Sequence, residues 1–142
     1  MIGAATARLL LQCSLAMGAC ILLLAAVCAV FPGEWYMFIH RLLGLGEFPA
    51  QPVVWYLARS ASALYAFHGV LVAAIAWKPE KAPWLVVALG FGNMAFGLSM
   101  IAIDISAGMP WWWTLAEGPG IASFGLVLLL LEHQTRQGDS SS

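Results

Sequence analysis

Four long apolar runs, at 9–31, 53–77, 84–106 and 111–131, leave this chain few ways to fold. Each is at least as long as the roughly 20 residues that carry a helix across about 30 Å of hydrocarbon at about 1.5 Å per residue. Lipid offers the backbone no hydrogen bonds, so every segment must bond within itself, which selects helices over open strands. Barrel strands would be about 10 residues long with alternating polarity, and these runs do not alternate. Composition agrees. Only 9% of the residues are charged and 62% are hydrophobic, where a soluble domain carries about 25% charged residues. The expectation is an all-α integral membrane protein. Its four transmembrane helices form a bundle in a single membrane domain over 1–134, followed by a polar C-terminal tail at 135–142.

Several classes of function drop out at this point. A net charge of −1 with no basic run gives no hold on nucleic acid, and neither a phosphate loop nor a zinc-type spacing occurs. Cys13 and Cys20 share a face of the first helix but lie about 10 Å apart along it, too far for a disulfide. With Cys28 they read as small apolar filler. The first run exceeds the 7–15 residues of a signal-peptide core and stays apolar past "MGAC", so it reads as a retained helix. Haem would want two facing histidines at matched depth. His40, His68 and His133 do not match, and no cofactor or metal is expected. A carboxylate inside the first helix, as small four-helix multidrug transporters carry, is missing.

Lysine and arginine set the orientation. Arg8, Lys78, Lys81 and Arg136 fall on one side, and Arg41 with Arg59 on the other. The positive-inside rule then puts both termini in the cytoplasm of a cell (inner) membrane. Tryptophan gives an independent check, because indole prefers the headgroup level, half apolar and half wet. Trp35 and Trp55 fall at the outer ends of the first two helices. Trp77 and Trp84 bracket the inner turn "KPEKAP", and Trp111, Trp112 and Trp113 open the fourth helix on the outer side. All seven are read as interfacial anchors. Between the first two helices, "GEWYMFIHRLLGLGEFP" mixes aromatic and charged residues. It suits a short helix lying in the outer interface, ending near Gly44 or Gly46 with Pro49 beyond.

Ionisable groups inside a membrane segment are functional candidates by default. Arg59 and Glu117 each lie six residues from the outer end of their helix, about 9 Å deep. With Asp104, closer to the outer end of the third helix, Arg59 and Glu117 are expected to form an intramembrane polar cluster, as a structural clamp or as a substrate or proton site. His68 and Asn93 are matched about 13 Å from the other side and read as an interhelical polar pair. Asn93, Gly97, Met100 and Asp104 fall within about 40° of one another, marking the inward stripe of the third helix. Pro119 cannot donate to the carbonyl of Leu115, so the fourth helix should kink or restart beside Glu117.

With "YLARSASALYAFHG" on the second helix and "MPWWWTLAEGPG" entering the fourth, the layout resembles small four-helix bacterial membrane proteins of the DoxX-like type. The resemblance covers the second to fourth helices. It implies the four-helix fold and, for some members, an association with quinone or thiosulfate oxidation. No functional residue carries over from it. Three functions stay open. The leading one is an accessory or structural subunit, or scaffold, acting by helix association with other membrane subunits or with itself in the lipid bilayer. The second is a small-molecule or proton transporter-like module built on Arg59, Asp104 and Glu117. The third is a component of a quinone-linked membrane oxidoreductase. No catalytic constellation stands out. The orientation makes a prediction: a reporter fused at the C-terminus should read as cytoplasmic and one inserted near Gly46 as external. The reverse pattern would overturn it.

Overall fold

A computed structural model describes residues 3–140 of the chain. The described residues form helices and no strands: α1 (Ala4–Val30), α2 (Gly33–Leu42), α3 (Pro52–Trp77), a 3-10 turn at Pro79–Lys81, α4 (Pro83–Ala107) and α5 (Trp111–Ser140). Four of them, α1, α3, α4 and α5, are long and apolar enough to cross a membrane. Their ends follow local chemistry. Pro52 and Pro83 open α3 and α4, where a missing N–H costs no helical bond. Gly108, at φ 67°, closes α4 in a left-handed turn in which Met109 N–H reaches the carbonyl of Asp104 at 3.0 Å. Gly44 closes α2 in the same way, with Leu45 N–H on the carbonyl of His40 at 3.0 Å. The short helix expected between the first two spans is therefore present as α2.

Of the two alternatives at Pro119, a kink or a restart, the restart is excluded, because Pro119 lies inside one continuous helix. A single proline removes one i to i−4 bond, and the bonds on either side keep the turn. The polar tail set at 135–142 is also not a separate segment. Its described residues continue α5 to Ser140, supported by side-chain pairs one turn apart, Glu132 with Arg136 and His133 with Gln137. The last two residues lie outside the described ones.

The chain divides into two compact units, residues 1–15 with 75–142, and residues 16–74. In the first, α4 and α5 run antiparallel along a seam of glycines. Buried positions on α5 are Gly118, Gly125, Leu128, Glu132 and Thr135, and on α4 they are Val86, Gly90, Gly97 and Asp104. This spacing of three, four and seven is a heptad stripe, the pattern of left-handed helix pairs. A methyl group built on Gly97 would come within 2.5 Å of the Gly118 carbonyl and 2.6 Å of the Ala122 nitrogen. One on Gly125 would come within 2.5 Å of the Gly90 carbonyl. Backbone meets backbone here, as small residues permit in membrane helices. The stripe expected on the third span agrees: Gly97 and Asp104 are buried and Asn93 and Met100 are half-buried. On α1, Ala7, Leu11 and Leu15 are buried at intervals of four, one helical face.

In the second unit, α3 approaches α1 through Gly69, where an added Cβ would meet Leu22 Cβ and Leu23 N at 3.0 Å. An aromatic cap closes the end formed by α2 and the start of α3. Phe48 sits 4.6 Å from Trp55 and 5.5 Å from Tyr36 between ring centroids, and Phe31 lies 5.1 Å from Trp35.

The seam fixes a stability prediction. Gly97→Ala should lower stability in detergent by about 1–3 kcal/mol, because backbone on the facing helix cannot yield. Gly92→Ala and Gly120→Ala add a methyl that meets nothing within 4 Å. They should be neutral, or stabilise by about 0.5–1 kcal/mol through helix propensity. Chemical unfolding of the three variants makes the comparison, and equal effects at all three would contradict the seam.

Candidate functional site

Arg59, Glu117, Asp104 and Asn93 each have a definite local setting. Arg59, on the exposed side of α3, donates from Nη2 to the carbonyl of Phe31 at 3.2 Å, and its guanidinium carbon lies 6.0 Å from the Trp55 ring centroid. The Phe31 carbonyl lies just past the end of α1, where helix termini leave acceptors open. A flat guanidinium can donate to that oxygen and stay near an indole face at once. Arg59 thus ties α1 to α3 within the second unit.

Glu117 and Asp104 belong to the first unit. The Glu117 carboxylate accepts from the Trp113 indole N–H one turn earlier on α5. Trp113 therefore differs from its two neighbours. Trp111 is 75% exposed, whereas Trp113 is half-buried with its N–H turned to an acid. Asp104 is buried on the seam face of α4, and its Oδ2 has no hydrogen-bond partner. Three further polar groups close on their own helices. Ser62 donates to the Ala58 carbonyl at 2.8 Å, Asn93 Nδ2 to the Leu89 carbonyl at 2.8 Å, and Ser99 to the Ala95 carbonyl at 2.9 Å. Asn93 thereby satisfies its amide within α4, in the first unit, while His68 lies half-buried on α3 in the second.

Residues at the far end of the seam form a constellation that hydropathy alone passes over. Glu132, 5% exposed, pairs with Arg136 at 2.7 Å between Oε1 and Nε. Thr135 donates to the Glu132 carbonyl at 2.7 Å. These three, with Arg8 and Gln12 of α1 and Glu80 of the 3-10 turn, line an open cavity of about 430 Å³ in the first unit. Burying a carboxylate costs several kcal/mol unless it is paired and hydrogen-bonded. The adjacent guanidinium does this for Glu132. The sequence signal was a glutamate and an arginine four apart at the end of an apolar run. Among the described residues no group of three His, Cys, Asp or Glu side chains could hold a metal ion.

No protein-family model, curated protein or solved structure matches this chain.

The Trp113–Glu117 bond is testable by a double-mutant cycle of Trp113→Phe and Glu117→Leu. Their effects on stability in detergent should couple by about 1 kcal/mol, the scale of side-chain hydrogen bonds in membrane helices. Strictly additive losses would mean that the indole serves only as an anchor.

Proposed function

We propose that this chain is a small multi-pass subunit or scaffold of the cell (inner) membrane, with both termini cytoplasmic, that acts by helix association. The observation that carries this reading is how the polar groups of the spans are used. Serine and asparagine side chains return to carbonyls of their own helix, Glu117 takes an indole from its own helix, and Arg59 spans a helix end. Groups committed in this way stiffen helices and leave little to strip water from a passing solute. Among the described residues only α2, the 3-10 turn and short connections lie outside the four long helices, so most of their surface is the faces of those helices. Those faces carry exposed leucine, isoleucine, valine and phenylalanine, surface that lipid and neighbouring subunits cover equally well. Mass measurement after extraction in mild detergent should find a homo-oligomer or a co-purifying membrane partner. A monomer with no partner would contradict the reading.

One observation favours a transporter-like module instead: the buried Asp104 has an oxygen without a partner, a place for a proton within the first unit, to which Glu117 also belongs. A path for a solute needs water at those positions. In a background with Cys13, Cys20 and Cys28 replaced by alanine, single cysteines at 59, 104 and 117 separate the two. The association reading expects 104 and 117 to resist a membrane-impermeant thiol reagent, and labelling of both would favour transport.

A further inference from the structure

The cavity between the start of α1, the 3-10 turn and the end of α5 lies at a depth the tryptophans mark. Trp77 and Trp84 flank the turn that supplies Glu80 and are 77% and 65% exposed. Indoles so placed sit at the headgroup level, so a lipid phosphate and its substituent lie beside the opening. The lining carries charge of both signs, Arg8 and Arg136 with Glu80 and Glu132. An anion-selective site would not place two carboxylates there, nor a cation-selective site two guanidinium groups. At about 430 Å³ the cavity is within the range of small-ligand sites. Leu11, Pro79 and Pro83 give it an apolar wall, which suits the glycerol and first methylenes of a lipid.

We propose that this cavity binds the headgroup of a phospholipid carrying a phosphodiester and a primary ammonium, of the phosphatidylethanolamine type. Arg136 holds the phosphate: Nε is committed to Glu132, and the side chain remains 55% exposed, so its terminal nitrogens are open to phosphate oxygens in the planar geometry that suits them. Glu80, exposed on the turn, takes the ammonium, and the exposed Gln12 side chain adds a polar contact. A quaternary ammonium would call for an aromatic cage, and none of the lining residues is aromatic. A headgroup without an amine would leave Glu80 facing phosphate. The chemistry therefore discriminates on both sides of ethanolamine. The inference rests on the chain spanning a membrane and is independent of whether it associates with other subunits.

Native mass spectrometry of the full chain, extracted from vesicles of equal phosphatidylethanolamine, phosphatidylcholine and phosphatidylglycerol, tests it. The ethanolamine lipid should be retained about tenfold over each of the others, the scale of one charged hydrogen bond. Glu80→Gln, an exposed change that leaves the Glu132–Arg136 pair intact, should abolish the preference over phosphatidylcholine and phosphatidylglycerol. Arg136→Lys keeps the charge beside Glu132 but loses the planar fork, and it should reduce retention of the ethanolamine lipid. Circular dichroism of both variants checks that the helices persist. Equal retention of all three lipids, a preference for phosphatidylglycerol, or a preference that Glu80→Gln leaves unchanged would overturn the proposal. So would soluble phosphoethanolamine binding at the same cavity with no lipid retained, since the site would then read a small phosphate ester.

Discussion

The first unit depends on the approach of α4 to α5 through two pairs of glycines. Gly90 faces Gly125 and Gly97 faces Gly118, seven residues apart in each helix and in opposite senses. Between apolar helices in lipid the hydrophobic effect supplies no preference for one partner over another. What distinguishes a neighbour is how closely the backbones come and how many atoms meet at van der Waals distance. Replacing any of these glycines with a larger residue removes that advantage and pushes the helices apart. The heptad spacing then determines what else the seam brings together. At one end it buries Asp104 near the tight turn into α5. At the other it carries Glu132, Thr135 and Arg136 to the turn between α3 and α4, where they line the cavity with Glu80.

The second unit solves the same problem with different groups. Glycine allows one close approach, at Gly69, and aromatic rings fill the end beyond it. Arg59 is central there because it reaches a carbonyl that helix geometry leaves open. A charge inside a membrane helix is costly unless it is paired, hydrogen-bonded or able to reach the interface. A carbonyl and an indole face meet part of that cost without a carboxylate. Tyr36 follows the same logic, with its hydroxyl donating to the carbonyl of Cys28 at 2.6 Å near the end of α1. Both contacts dock α2 and α3 against a helix terminus, which ties the short connecting helix to the spans it joins.

What the sequence revealed and what it hid divide along a physical line. The spans were legible because length and hydropathy are properties of a contiguous segment, and α2 was legible because its aromatic and charged residues alternate with helical spacing before two glycines. The inward stripe through Gly97 and Asp104 followed from 100° per residue. Depth matching of Arg59 with Glu117 rested on a sound rule, yet depth does not specify rotation about the helix axis or which nearby carbonyl competes for the guanidinium. The Phe31 carbonyl, 28 residues away in the chain, carries no side-chain signal at all. Trp113 looked like its two neighbours because nothing in a run of three tryptophans marks the one whose indole N–H meets Glu117 a turn later. The cavity was hidden for a similar reason. Its charges come from three separate segments, each of which alone reads as the flank of a span.

The register of the glycine seam is the claim on which the rest of the first unit stands, and a disulfide measures it directly. A Cβ built on Gly125 lies 3.0 Å from Asn93 Cβ, close to the separation that a disulfide bridges after a small relaxation. With Cys13, Cys20 and Cys28 replaced by alanine, the pair Asn93→Cys with Gly125→Cys should oxidise within the chain in intact membranes. The pair Asn93→Cys with Gly118→Cys, displaced by two helical turns or about 10 Å, should not. Crosslinking of the second pair, or failure of the first in protein that remains folded, would contradict the account.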